Sequence, residues 1–397
     1  MDYGRAPRYH LYDRHRQMVT AVANHESATI SWKWGKEAGA GTLVIPGEQE
    51  VADLLVPALR VHEEPLLISV YTPLPDPWTG RVSNAEYVDD GDGGPRLELT
   101  LVNDRIWLDA ILAVANPGVT PELQDRESDV REGPLESVVK EYLAVNLGRL
   151  GSDLPVIVVP APTNDASPIV KLSARMVALS SLYEDVLDRY GYTITARTYR
   201  TGDPLPAGLQ FQPEPGTVMF DVAAGRDTGR LLWQQEHLET FSVSSSEPQA
   251  YRAYVGLKGD AESRPFRQYV DTAAKARSGG YGLPEIFVDV TDDATDWQEA
   301  AKDELRKVAG GLSVNFTVRD DQPWRMGDDW AVGDMAYARI AGQLFSARIS
   351  EVELRDEAGQ TIVYEPKCGV ADPARQEAVA DAVARLIADI RRQQAGR

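Results

Sequence analysis

The chain has 397 residues, 43% of them hydrophobic and 26% charged, a balance that belongs to packed globular domains and excludes a disordered or fibrous protein. Its 61 acidic against 41 basic residues leave a net charge of -20, and no Lys/Arg run exceeds Arg391-Arg392, which argues against gripping nucleic acid through its phosphates. Cys368 is the single cysteine and excludes an internal disulfide and a Cys-based zinc site.

This length exceeds what one core organises, so roughly two to four domains are expected. No apolar run of roughly 18 residues and no signal-peptide pattern at Met1 are found, which predicts a soluble chain without a membrane anchor.

From the beginning, Leu11-Tyr12-Asp13 reads as a short strand and turn, and Ile30, Trp32 and Trp34 alternate through Thr29 to Trp34. Gly39 to Pro46, Leu66 to Tyr71 and Leu97 to Leu101 add extended stretches, with a helical insert near Val51 to Leu59 and a tight turn over Asp89 to Pro95. The aspartates of Asp90-Gly91-Asp92-Gly93 suggest calcium, but the bidentate Glu that closes a twelve-residue loop is missing, so a hairpin loop is expected. Residues 1–115 are read as one strand-rich domain.

Asn116 to Gly133, rich in Pro, Glu, Asp and Arg, reads as a linker. A helix is predicted from Gly133-Pro134, with Leu135, Val138, Val139, Tyr142 and Leu143 at helical spacing up to Asn146-Leu147-Gly148. Pro155 to Val159 reads as a strand. The stripe Ser173, Met176, Val177, Leu179, Leu182, Tyr183, Val186 and Leu187 predicts a long helix ending before Gly191. Tyr192 to Tyr199 and Gly216 to Val222 read as strands, the second running into Gly225-Arg226-Asp227, where a local Arg-Asp turn is expected. Thr240 to Ser244 and Ala250 to Gly256 are read as a strand pair. These elements form a central α+β region over 116–257.

Lys258 to Asp296 reads as loop-rich, followed by a helix from Trp297 to Val308 that Asp296 caps and Gly310-Gly311 end, so 258–307 is a loop-rich segment and helix. Leu312 to Val318, Trp330 to Ile340 (through Gly333-Asp334), Phe345 to Leu354 and Gln360 to Tyr364 then read as a small β-barrel over 308–370. In 371–397, Asp372-Pro373 starts a helix whose apolar stripe is Val379, Val383, Leu386, Ile387 and Ile390. Such a stripe must dock, on its own subunit or in a bundle of copies; three copies meeting, or a contact with a tip protein, is the expectation.

The series Trp330-Ala331-Val332-Gly333-Asp334-Met335, then Arg348-Ile349-Ser350-Glu351-Val352, resembles the C-terminal barrel of the tail-hub (baseplate hub) proteins of long-tailed actinobacterial phages, with Met335 where Val is more usual. Val218 to Val222 with Gly225-Arg226-Asp227, the Gly133-Pro134 helix with Asn146-Leu147-Gly148, and Leu11-Tyr12-Asp13 with Trp32-Lys33-Trp34 resemble the same family, so the likeness covers about Leu11 to Gly369. The resemblance implies an α+β, multidomain chain with two tail-tube-like β-barrel domains, a helix-containing central region and a C-terminal helix. It implies a structural minor tail protein in the virion, a homotrimeric hub at the distal end of the tail. There it would adapt a six-fold tube to a three-fold tip for host attachment and DNA release. Implied partners are the distal tail protein ring, tail fibre or tip proteins and the end of the tape-measure protein. DNA would pass through without specific binding, and the excess acid would serve either solubility or that passage. Gly225, Arg226, Asp227, Gly333 and Asp334 become assembly or structural turn candidates.

The catalytic search finds no Gly-x-Ser-x-Gly elbow, phosphate loop, His-Glu-x-x-His or Gly-x-Gly-x-x-Gly. The five histidines lack ligand spacing. Asp289, Asp292, Asp293 and Asp296 are the place to look for catalytic carboxylates, yet nothing nearby separates their pKa values, so a solvated loop and helix cap is expected. Cys368 is read as a small buried residue at a strand end. No catalytic residue, metal ligand or cofactor is assigned. The alternative function is a tail-associated cell-wall hydrolase or glycan-binding protein.

Overall fold

The computed structural model describes residues 6–35, 37–47, 54, 56–74, 76–89, 91, 94–151, 156–164, 166–227, 229–246, 250–259, 263–278, 285–290, 296–308, 311–319 and 324–369. The stripe Val379, Val383, Leu386, Ile387 and Ile390 lies outside them, as do Asp90, Asp92, Gly93, Asp292 and Asp293.

Seven strands come first: β1 (Arg8–Tyr12), β2 (Met18–Val22), β3 (Ser27–Lys33), β4 (Ala40–Pro46), β5 (Leu67–Tyr71), β6 (Trp78–Val88) and β7 (Arg96–Asn103). Their apolar residues alternate, so that Leu43 and Ile45 of β4 and Leu97, Leu99 and Leu101 of β7 all face one core. A short helix α1 (Trp107–Ala110) and β8 (Leu112–Ala113) follow.

The predicted linker contains β9 (Asp129–Pro134), and Pro134 is the cap of helix α2 (Leu135–Leu150), which starts just after it. Proline lacks the N–H but its carbonyl can accept, so a cap position suits it as well as the first turn. Next come β10 (Ile157–Val158), β11 (Ile169–Ala174) and β12 (Val177–Ala178), then helix α3 (Leu179–Tyr190), β13 (Tyr192–Thr198) and β14 (Val218–Ala224).

Here the long helix predicted from Ser173 is corrected. Ser173 belongs to β11, which pairs antiparallel with β9, and Val177 to β12, which pairs with β8. Met176 has φ of 53°, a left-handed turn that no helix accommodates, so the helix starts at Leu179. Its end is as predicted: Gly191, at φ 69°, closes it in the left-handed region.

The remaining strands are β15 (Leu232–Gln234), β16 (Leu238–Ser246), β17 (Arg252–Gly256), β18 (Phe266–Val270), β19 (Glu285–Asp289), β20 (Gly311–Val318), β21 (Met335–Ile340), β22 (Gln343–Glu357) and β23 (Val363–Gly369), with helices α4 (Thr272–Ser278) and α5 (Trp297–Lys307). The segment read as loop-rich therefore holds β18, α4 and β19. Among the described residues, Thr240–Ser244 and Ala250–Gly256 do not pair with each other. β16 lies next to β20, whereas β17 is the middle of a three-stranded sheet ordered β18-β17-β19.

One 13-stranded sheet runs β16-β20-β23-β22-β3-β4-β7-β6-β5-β1-β2, with β15 and β21 joined beside β22. The decisive link is β3 with β22, antiparallel from Glu351↔Lys33 to Glu357↔Ser27. Leu354 of β22 thereby enters the core of the first seven strands. Among the described residues the end strands β16 and β2 are not paired with each other, so the sheet is open.

Contacts divide the chain into two units. The larger takes in Met1–Thr240, Phe316–Gln343 and Ala347–Gly369, and the smaller Phe241–Asn315 with Leu344–Ser346. Besides the sheet core, the larger unit has a second core in which Leu135, Val139, Tyr142 and Leu143 of α2 meet Leu179 and Tyr183 of α3 and Phe220 of β14. In the smaller unit, α5 covers one face of β18-β17-β19 through Ala301 and Leu305. Asp296 caps α5 by accepting from the Gln298 N–H at 2.9 Å.

Candidate functional site

The two turns singled out in the sequence, Gly225-Arg226-Asp227 after β14 and Gly333-Asp334 before β21, meet within the larger unit. Arg226 does not form the expected local pair with Asp227. Its Nε and Nη2 donate to both carboxylate oxygens of Asp334 at 2.8 and 2.6 Å, the bidentate fit of a planar guanidinium. Asp334 is 8% exposed at its side chain and also accepts from the Ala331 N–H at 2.9 Å, while Arg226 is 62% exposed. Asp227 instead accepts from the Tyr337 hydroxyl, 3.1 Å from each oxygen. Sequence neighbours were the natural partners to expect, but the backbone sets the pairing: the Met335 N–H donates to the Arg226 carbonyl at 2.8 Å.

Arg348 of β22 is the residue on which this junction closes. Its Nη1 donates to the Gly333 carbonyl, and its guanidinium lies over the Trp34 ring, 5.3 Å from the centroid. Three glycines make room. A Cβ at Gly191 or Gly225 would overlap the Arg348 guanidinium, and one at Gly333, where φ is 91°, would fall inside the Trp34 ring. Backbone bonds tie the same segments: Gly225 N–H to Gly191 O at 2.9 Å, Gly333 N–H to Ile349 O at 2.8 Å and Trp34 N–H to Ser350 O at 2.8 Å. Arg348, Trp34 and Gly191 stand in three separate segments, and nothing local in the sequence connects them. Glycines clustered around one arginine are visible only when distant segments are superposed in space.

Both carboxylates of the junction are engaged, Asp334 by the Arg226 guanidinium and Asp227 by the Tyr337 hydroxyl. Asp334→Ala is expected to cost about 2 kcal/mol and Arg226→Ala about 1 kcal/mol, the latter less because an exposed guanidinium regains water. Urea unfolding of both single variants and the double variant checks this; additive losses would mean that the pair is not coupled.

A second polar cluster joins β6 and β7 to β13. Asp104 accepts from the hydroxyls of Thr79 at 2.5 Å and Thr198 at 2.7 Å. Burial raises its carboxyl pKa above the ordinary aspartate range, against the pull of those hydroxyls and of Arg200 and Arg81. Arg105, pushed down to about 10 by burial, donates to the carbonyls of Lys33 and Gly35.

Elsewhere the candidate carboxylates are accounted for locally. Asp289 pairs with Arg264 and Asp296 caps α5. Cys368 is buried in β23, where desolvation pushes its thiol pKa well up. A cavity of about 110 Å³ is lined by Asp76, Arg197, Leu205, Met219 and Asp221 among others. Its charges are paired, Arg197 with Asp76 at 3.2 Å and Asp221 with Lys140 at 2.8 Å. Among the described residues no cluster of three or more His, Cys, Asp or Glu is placed to hold a metal, and no helix is long and apolar enough to cross a membrane.

Comparison with known proteins places the chain. The family model described as "Siphovirus ReqiPepy6 Gp37-like protein" matches residues 8–370. The chain belongs to this siphovirus family. No curated protein matches it. Among solved structures, the tail protein from Neisseria meningitidis MC58 is similar with a TM-score of 0.53 at 16% identity, covering 92% of this chain and 97% of that one. The prophage tail protein gp18 from Listeria monocytogenes EGD-e is similar with a TM-score of 0.51 at 11% identity, covering 96% and 99%. The 43 kDa tail protein of prophage MuSo2 from Shewanella oneidensis also reaches 0.51 at 11% identity, covering 93% and 99%. At these identities the likeness is one of fold: this member of the Gp37-like family has a strand-rich α+β fold shared with phage tail proteins.

Proposed function

We propose that the chain is a structural protein of the siphovirus tail tip, a homotrimeric baseplate hub at the distal end of the tail tube. The observation that carries this reading is the end-to-end likeness to tail proteins, which covers nearly all of this chain and of each neighbour, within a siphovirus family matched over residues 8–370. Each copy contributes two tube-like sets of strands, β1 to β7 and β20 to β23, and three copies present six such sets to a six-fold tube. A sheet whose end strands β16 and β2 are, among the described residues, not paired with each other suits that arrangement, since neighbouring copies can continue its hydrogen bonding. The Arg226–Asp334 pair fastens the segment after β14 to the C-terminal strands, and the Arg348–Trp34 contact fastens the segment after β3 to them, as a part under load requires. Around the hub would sit the distal tail ring, fibre or tip proteins and the tape-measure end, with DNA passing an acidic wall that does not hold it.

Electron microscopy of purified particles, with their mass measured in parallel, tests the proposal. A three-fold ring at three times the 43.7 kDa chain mass is expected, together with antibody labelling of virions at the distal tail end. Virions labelled elsewhere, or not at all, would sink the reading. A peptidoglycan-release assay with the purified chain is expected to stay at background.

A further inference from the structure

The sheet β18-β17-β19 of the smaller unit has two unlike faces. Ala253, Val255 and Val288 pack with Ala301 and Leu305 of α5. Register defines the other face: Tyr254 and Gly256 of β17 lie opposite Gln268 and Phe266 of β18, and opposite Phe287 and Asp289 of β19. Residues paired across strands project to the same side. On this side Phe266 and Phe287 are 59% and 58% exposed, with Tyr254 beside them at 36%. Adjoining rings left in water mark a surface that meets a ligand.

The rings are held open rather than collapsed onto the sheet. Their centroids are 6.4 Å apart with the planes inclined at 52°. Gly256 forms the floor of the notch, where a Cβ would come within 2.9 Å of both the Phe287 ring and the Arg264 guanidinium. Arg264 fixes one wall: it donates to the carbonyls of Leu257 at 2.8 Å and Gly256 at 3.0 Å, pairs with Asp289, and lies 5.9 Å from the Phe287 ring centroid. A second ion pair, Arg252 with Glu285 at 2.9 Å, stands at the other end of β17 and β19. Each pair is neutral as a whole, while its exposed carboxylate keeps lone pairs open to a hydroxyl.

Size and charge select the occupant. Five residues of β17 and three strands make a face of about 16 by 14 Å, roughly 220 Å². Each partner of a stable protein interface covers about 800 Å², far more than this. A nucleic acid would bring phosphates to a chain of net charge -20, and ion pairs that neutralise each other offer a charged ligand no counter-charge. What fits is small, neutral and two-sided, with C–H groups for the ring faces and hydroxyls for the polar rim. A sugar ring is built this way, because its axial C–H bonds make a flat apolar face and its hydroxyls project around the edge. We propose that Tyr254, Phe266 and Phe287 form a platform that stacks one or two units of a neutral oligosaccharide, with Gln268, Glu285 and Asp289 hydrogen-bonding its hydroxyls. Both carboxylates are tied to arginine, so the platform recognises a glycan without hydrolysing it. The site lies within the smaller unit alone and stands whatever position the protein takes in a virion.

Saturation-transfer NMR on the full chain is the test, with maltotriose, cellotriose, chitotriose and mannotriose as neutral probes and trigalacturonate as an anionic one. At least one neutral probe is expected to receive saturation at its ring C–H protons, with a Kd of about 0.1–5 mM for a site this small and open; trigalacturonate is expected to receive none. The double variant Phe266→Ala/Phe287→Ala is expected to weaken that binding at least tenfold, whereas Phe287→Tyr, which keeps the ring, retains it. Lys302→Ala, on α5 across the sheet, is expected to leave it unchanged. Tryptophan fluorescence confirms that each variant is folded. No transfer to any neutral probe would assign the rings to another class of partner and overturn the proposal. Transfer that survives in the double variant, or that is seen only with trigalacturonate, would overturn it as well.

Discussion

Gly333→Val is expected to destabilise the larger unit by about 4 kcal/mol, combining a backbone conformation that β-branched residues avoid with forced overpacking. Gly333 has φ of 91°, and any Cβ there enters the Trp34 ring. The ring cannot simply step aside, because Arg348 covers it and donates to the Gly333 carbonyl. The built-in control is Gly342, at φ 77° with nothing within 4 Å of a Cβ. Gly342→Ala carries the conformational strain alone and is expected to cost about 1 kcal/mol. Chemical denaturation of both variants decides between strain and crowding. Equal losses would show that the Trp34 contact contributes nothing.

Trp233→Ala is expected to cost a similar amount, about 4 kcal/mol, through the cavity it opens. The side chain is fully buried and meets the Phe316 ring edge-on at 5.9 Å. Its strand β15 is only three residues long and pairs in parallel with β21, Trp233 opposite Ala338. A strand so short has few hydrogen bonds of its own, so the indole is its principal anchor. Trp233→Phe, which keeps an aromatic ring in place, is expected to recover more than half of the loss. A Trp233→Ala loss below about 1 kcal/mol would mean that the surrounding side chains collapse into the space.

Local signals in the sequence were read well where the interaction is itself local. Asp296 capping α5 and Gly191 ending α3 both rest on residues within a few positions of each other. The stripe from Ser173 misled because its first residues pack apolar surface as strands, and a period of helical spacing over so few residues does not distinguish the two. β18 and β19 leave little alternation because each carries a phenylalanine, Phe266 or Phe287, on its outward face, and β18 also places Arg267 inward. The pairing of β3 with β22 joins segments some three hundred positions apart and leaves no local trace. The same holds for the junction: the Gly225-Arg226-Asp227 and Gly333-Asp334 turns were visible as turns, but their mutual bond was not, since a carboxylate 108 residues away competes on equal terms with one next door only after the fold has formed.

That β3–β22 seam has a consequence for how the molecule is made. Strand β3 emerges from the ribosome early, with β4 on one side and its other edge unpaired until β22 has been synthesised. Native contacts of such sequence separation are slow to form, because the entropy of closing a long loop is lost before the contact returns anything. In the interval the nascent sheet presents an unsatisfied edge to every other chain in the cell. Production of the folded protein should therefore be limited by the yield of this late closure, and slower synthesis or an assisting chaperone should raise soluble output more than added native stability does.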